Sequence, residues 1–256
     1  MIVDTQIISY CYSGRWDSKK AQSSEISAIT AAEFLTFHTR EDGTVDYYVI
    51  DPERYGNKHS LSMTQLNPEI VGNAKWAKTG AKKTDSVIID FSNEFQPYRI
   101  YGNKSITSIL NNKNIEAFKL SISHLEKNKQ KNLKKKIEFL FDNDVKCHSL
   151  NKRMCDITLD LFIKFLENTT AKNNIKNTVN DLLILSTAIE MKTSISTEDK
   201  VLGEFAAKVH LAKIKTNSNI LIIDFSENIS NKLKKNRESK GYINRGWSCS
   251  FIKGYL

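Results

Sequence analysis

Apolar and polar positions along this chain alternate between two spacings, and the changes of spacing divide it into elements. Ile2 and Val3 form a short apolar strand closed by Asp4, and residues 5–12 continue as an apolar segment that predicts a helix. Residues 14–24 are polar and loop-like. Residues 26–29 supply a second short strand, and Thr30 with Glu33 three positions later reads as a capping box opening a helix over 31–37. Further on, Ile115, Phe118, Ile122, Leu125, Leu133, Ile137 and Leu140 recur at helical spacing, which predicts helix from 115 to 141, with the lysines between them on the opposite side or at a break near Asn132. Residues 145–150 read as a third strand, and 154–166 as an amphipathic helix burying Ile157, Leu161, Ile163 and Leu166.

The densest apolar pattern lies between Thr178 and Leu202, TVNDLLILSTAIEMKTSISTEDKVL. Thr178 and Asp181 stand at capping-box spacing, which predicts a helix over 182–191 with Asp181 on its first turn. Leu182, Leu183, Ile184, Leu185, Ala188 and Ile189 leave that helix almost no polar side, as expected for a helix laid on a sheet. Residues 193–197 read as a strand, with Glu198 and Asp199 directly after it, followed by a helix over 204–211 and a strand over 219–224. Strands alternating with helices predict an α/β fold, a doubly wound α/β/α sandwich around a mainly parallel sheet.

Two segments depart from the alternation. Residues 39–113 are rich in Gly, Asn, Thr and Tyr, hold all three prolines, and carry strand-like runs at 47–50, 87–91 and 98–101. They predict a mixed or β lobe inserted between core segments 1–38 and 114–227. Lys75, Lys78, Lys82, Lys83, Arg99 and Lys104 interleave there with Trp76, Tyr98 and Tyr101, a mixture that suits either base stacking with phosphate pairing or a plain solvated lobe. Residues 228–256 are a basic C-terminal extension, read as a frayed arm or a docked hairpin. LIIDFSEN from Leu221 echoes VIIDFSNE from Val87, over one strand and turn only.

A chain of 256 residues fits one enlarged domain or a domain with a substantial insertion. No apolar run approaches the ~20 residues of a bilayer helix, and the N-terminus lacks the basic segment of a signal peptide. Cys11, Cys147, Cys155 and Cys249 form no CxxC and suit reduced thiols. A cytoplasmic protein without a membrane partner is therefore expected. The net charge of +9 points to a polyanionic partner, most simply nucleic acid. The lysine run over 127–136 is either a solvated helix face or a phosphate contact.

Asp4, Glu33, Asp181 and Asp199 fall at matching ends of the predicted elements, where the carboxyl edge of a parallel sheet brings side chains together. An all-oxygen set of this kind suits hard cations such as Mg²⁺ or Mn²⁺, with no need of histidine or cysteine. Thr197 reads as a cap for the following helix or as a donor to a metal-bound water or phosphate oxygen. Lys200 reads as a phosphate contact or an exposed helix position.

Around those carboxylates the chain resembles the PIN-domain family of nucleases, through MIVDTQIISY at 1–10, ISAITAAEFL at 26–35, NDLLILSTAIEM at 180–191 and SISTEDKVL at 194–202. The resemblance covers residues 1–38 and 115–224. It implies a PIN-like sandwich in which Asp4, Glu33, Asp181 and Asp199 are the catalytic and metal-holding residues, with Mg²⁺ or Mn²⁺ as cofactor and RNA phosphodiester hydrolysis as the reaction. It also implies a toxin-like or anti-phage role, with an antitoxin or other regulatory protein as a partner; a homodimer is compatible with it. A nuclease acting on DNA or flap structures, and a nucleic-acid-binding scaffold without turnover, are the alternatives. The chain departs from the family at Gln6, where Asn is usual, and in the segment 39–113 and the C-terminal extension, which compact members lack.

Overall fold

A computed structural model describes residues 1–35, 86–92, 94–123, 125–168, 175–210, 212–217, 219–226 and 246–252. In chain order the elements are β1 (Ile2–Val3), α1 (Thr5–Tyr12), β2 (Glu25–Ser27), α2 (Ala28–Phe34), β3 (Ser86–Asp90), β4 (Tyr98–Tyr101), α3 (Asn103–Asn111), α4 (Ile115–Ser121) and α5 (Lys127–Asp142). They continue as β5 (Lys146–His148), α6 (Lys152–Asn168), α7 (Ile175–Glu190), β6 (Ile195–Thr197), α8 (Lys200–His210), β7 (Lys213–Asn217), β8 (Ile220–Asp224) and β9 (Ser248–Ile252). The run 47–50, Trp76 and the lysines around it, and the basic stretch 227–245 lie outside the described residues.

The central sheet has the order β5-β2-β1-β6-β8-β7. β5, β2, β1 and β6 are mutually parallel, whereas β8 runs antiparallel to both β6 and β7. Successive strand residues face opposite sides of a sheet, and this decides the layers. Ile2, Ile195 and Ile223 join the core under α6, α7 and α8, while Val3, Ile26 and Cys147 join the core under α1, α3 and α5. Helices thus cover both faces of a mainly parallel sheet, as the alternation of elements predicts.

A second sheet, β4-β3-β9, is antiparallel and stacks outside α6. Phe91, Phe95 and Trp247, which flank its strands, surround Phe162 of α6, with ring centroids 5.5, 5.9 and 5.6 Å from that ring. The strand-like runs 87–91 and 98–101 therefore lie in this sheet and not in the central one, and the C-terminal extension supplies its third strand. The two DFS echoes end strands of different sheets by the same turn: Asp90 Oδ1 accepts the Ser92 N–H at 3.0 Å, and Asp224 Oδ1 accepts the Ser226 N–H at 2.9 Å. Phe91 and Phe225 then fall into the same apolar core.

Other elements differ from the sequence reading. α3 lies within the segment read as an inserted lobe, yet its Ile106, Ile109 and Leu110 pack with Val3, Ile7 and Ile137 of the main core. Asn103 ties it there, donating Nδ2–H to the Leu150 carbonyl at 3.0 Å and accepting the Leu150 N–H at 2.7 Å. The helix expected over 115–141 is two, α4 and α5, divided ahead of Asn132, and Gln130 of α5 donates to the carbonyls of Ser123 and Leu125 between them. Among the described residues no helix is long and apolar enough to cross a membrane.

Candidate acidic site at the sheet edge

The central sheet reverses its order between β1 and β6: the chain steps from β1 to β2 and β5 on one side, and β6, β8 and β7 lie on the other. The carboxyl end of such a reversal opens a crevice, because the connections leave in opposite directions. Asp4 follows β1 at that end and Thr197 closes β6 beside it, with the Asp4 N–H donating to the Ser196 carbonyl at 3.0 Å. Asp4 is 8% exposed. Its Oδ1 accepts the Thr5 N–H at 2.6 Å, so the carboxylate caps α1, and its Oδ2 accepts the Thr197 hydroxyl at 2.6 Å.

Glu33 is not a capping-box residue. Ser27 caps α2 by accepting the Thr30 N–H at 3.0 Å, so the helix begins at Ala28 and Glu33 stands in its second turn. Its carboxylate is turned to the site, where Oε2 accepts the Thr5 hydroxyl at 2.5 Å and Oε1 accepts Asn180 Nδ2–H at 2.7 Å. Thr5 therefore bridges the two acids, giving its N–H to Asp4 and its hydroxyl to Glu33. Burial raises the Glu33 pKa above the ordinary glutamate value, and the negative charge of Asp4 adds to that. The hydrogen bonds from Thr5 and Asn180 and the charge of Lys176 oppose the rise.

Asp181 does not open a helix. α7 already includes Ile175, three residues before Thr178, and Ile175 and Val179 extend the apolar stripe of Leu182 and Leu183 backwards by two turns. Asp181 is half-buried on the second turn, next to Asn180, the residue of α7 that bonds Glu33. Asp199 sits after β6 as the cap of α8, accepting the Leu202 N–H at 3.0 Å, while its own N–H donates to Thr197 Oγ1 at 3.0 Å. Thr197 is thus fully buried between Asp4 and Asp199, and the helix cap is Asp199. Lys200 is exposed on the first turn of α8.

Thr5 and Asn180 escaped the sequence reading, and Tyr98 was read there only as a ring for base stacking or a solvated lobe, not as a neighbour of the acids. Tyr98, on β4 of the second sheet, donates its hydroxyl to Asn180 Oδ1 at 2.9 Å, and burial followed by the charge of Glu33 pushes its pKa far up. Lys176, one helical turn before Asn180, places its ammonium 5.4 Å from the Tyr98 ring centroid. The available signal for Asn180 was a polar side chain inside an otherwise apolar helical run.

Among the described residues no three acidic, histidine or cysteine groups stand together in a way that would hold a metal ion by themselves. Mg²⁺ seldom uses such a cage; one or two carboxylates suffice, with water and substrate phosphate completing the shell. The Asp4–Glu33 pair fits that requirement. It is all-oxygen and oriented by neutral donors, and its burial and mutual repulsion would be relieved by a cation. For Glu33, two donors on a group that accepts at about four positions leave room for a metal bond. Comparison with family models, curated proteins and solved structures returns no match for this chain.

Proposed function

We propose that the protein is a metal-dependent nuclease of PIN-like architecture that hydrolyses RNA. The observation that carries the reading is the coupled pair Asp4–Glu33 at the carboxyl edge of the sheet reversal, with Thr197 and Asp199 closing the neighbouring strand. Asp4 and Glu33 would hold Mg²⁺ or Mn²⁺, with Asp181 and Asp199 as the remaining acids of the set. A cation bound there supplies an acidified water and neutralises charge on the scissile phosphate. Thr5, Thr197 and Asn180 hold the carboxylates in place, so no reorientation is needed when substrate arrives.

Substrate binding has its own support. Lys127, Lys131 and Lys134 share one face of α5 and line a groove of about 540 Å³ together with Leu120, Ile122 and the ion pair Lys119–Glu116, whose charged atoms stand 2.7 Å apart. α5 is also anchored to the acid-bearing helix, because Lys136 donates Nζ–H to the carbonyl of Phe34, the residue after Glu33, at 2.7 Å.

Purified protein incubated with end-labelled single-stranded RNA is expected to cleave in Mn²⁺ or Mg²⁺ and to stop in EDTA. Asp4→Asn should lower the rate by more than ~100-fold, since it removes an anionic ligand and not merely a partner of one. Equal cleavage by wild type and variant means a contaminating nuclease. Cleavage of DNA alone moves the substrate assignment, and inactivity on both nucleic acids overturns the reading in favour of a binding scaffold.

A further inference from the structure

We infer that Tyr98 is a positioning residue for the acidic site: its hydroxyl sets the orientation of the Asn180 amide, so that the nitrogen and not the oxygen of that amide faces Glu33. The rate consequences of this inference rest on the nuclease reading; the geometry does not.

An asparagine amide presents opposite chemistry at its two ends, an acceptor oxygen and a donor nitrogen. Beside an ionised carboxylate only the nitrogen end is favourable, and Asn180 Nδ2 stands 2.7 Å from Glu33 Oε1. The oxygen end then points away from Glu33 in a residue only 5% exposed, where an unpartnered carbonyl would be costly. Tyr98 supplies the donor at 2.9 Å. An amide flipped about its last bond would set its oxygen against Glu33 and take away the acceptor of the buried Tyr98 O–H, so carboxylate and hydroxyl together favour the observed orientation.

The position of Tyr98 is built by long-range pairing. It lies opposite Ile89 of β3, and Ile89 lies opposite Cys249 of β9, so residues from the segment after α2 and from the C-terminal extension together hold the ring in place. Lys176 and Asn180, one turn apart on α7, both meet this side chain, the first over its ring and the second at its hydroxyl. Glu33 is consequently held by two donors of different origin: Thr5 belongs to the sheet edge, while the Asn180 amide is set from the second sheet. The second sheet is thus part of the site, in a chain region where the alternation of strands and helices is interrupted.

Tyr98→Phe tests this, since it keeps the ring, its packing and the Lys176 contact and removes only the hydroxyl. The first readout is hydrogen exchange of the Asn180 side-chain amide, followed by NMR and assigned by its loss in Asn180→Asp. Protection in the wild type is expected to fall by about tenfold in Tyr98→Phe, the effect of losing one hydrogen bond of ordinary strength. The second is binding of Mn²⁺ alone, expected to weaken about tenfold, as for loss of a group that orients a metal ligand. In turnover on RNA, kcat should fall by a similar factor while KM stays within about twofold, the pattern of an interaction that matters to the reacting centre and not to substrate binding.

Should Tyr98→Phe fail to fold, Asn180→Ala gives a second route: it removes the amide through which Tyr98 acts on Glu33 and should weaken Mn²⁺ binding about tenfold, and an unchanged Mn²⁺ affinity in folded Asn180→Ala overturns the inference. Unchanged amide protection and unchanged Mn²⁺ affinity in a folded Tyr98→Phe protein overturn the inference. Loss of amide protection in a protein whose wild type neither binds Mn²⁺ nor cleaves RNA removes the nuclease reading and leaves the orientation of Asn180 by Tyr98 established.

Discussion

Thr197 donates its hydroxyl hydrogen to Asp4 across 2.6 Å and accepts the Asp199 N–H across 3.0 Å, so one buried side chain joins the ends of two adjacent parallel strands. Thr197→Val keeps the shape and removes both bonds, leaving a buried carboxylate oxygen short of a donor. The loss is expected to be ~1–3 kcal/mol by urea denaturation, the cost of an unsatisfied buried polar group. Thr197→Ser, which retains the hydroxyl, should keep most of that stability and most of the cleavage rate. Equal losses in the two variants would assign the effect to packing of the methyl group.

The groove beside α5 makes a separate prediction, because binding through phosphates is read by salt. Replacing Lys127, Lys131 and Lys134 together by Gln leaves the buried stripe Leu133, Ile137 and Leu140 intact. Affinity for single-stranded RNA should fall, and the slope of log K against log salt should shrink by about 2, three charges at roughly 0.7 each. Fluorescence anisotropy across a salt series measures it. A slope identical to the wild type means that the lysines form only a solvated face.

Much of the central architecture was legible because it is written in local periods. Ile2-Val3-Asp4 and the run 193–197 with Asp199 were readable as strand ends carrying acids, since short apolar runs bounded by polar residues need no partner to be recognised. Helix starts were misread for one physical reason, twice. The pairs Thr30/Glu33 and Thr178/Asp181 have capping-box spacing, but that spacing also occurs inside helices, and here Ser27 and the backward extension from Ile175 decide the starts. α3 carried a readable stripe, Ile106, Ile109 and Leu110, that the turn-rich composition around it obscured. β7 had no signal at all: Lys213–Asn217 is exposed throughout, and its pairing is dictated by β8. Tyr98 reaches the site only through pairing across 82 positions, which no local pattern encodes.

Phe162 is fully buried where the second sheet meets α6, with Phe91, Phe95 and Trp247 around it. Phe162→Ala should cost ~3–5 kcal/mol, the usual range for emptying such a site. Because these three rings flank the strands of the second sheet, amide exchange should accelerate in β3 and β9 before it does in β1, β2 and β6. Uniform acceleration across both sheets would show that they unfold as one unit.

Glu33 gives the stability of the protein a pH dependence whose sign follows from its surroundings. Burial, with the charge of Asp4 added, raises its pKa above the ordinary value of 4.5, against the opposing effect of Thr5, Asn180 and Lys176. In the unfolded chain the carboxyl ionises at its ordinary pKa, so between that value and the folded one the native state binds more protons than the unfolded state. Stability therefore falls as pH rises through this window, is fully present below it, and stays lowered above it. Glu33→Gln cannot ionise, so the difference in unfolding free energy between variant and wild type should move in favour of the variant as pH climbs from about 4 towards neutrality. Mg²⁺ or Mn²⁺ favours the ionised carboxylate and should restore the wild type at neutral pH while leaving Glu33→Gln unaffected, an increment that grows with cation concentration by mass action. Urea denaturation of both proteins over this pH range, with and without the cation, measures each term. Parallel curves would show that Glu33 is ionised in the native state at its ordinary pKa, and a cation that stabilises both proteins equally would place its binding away from Glu33.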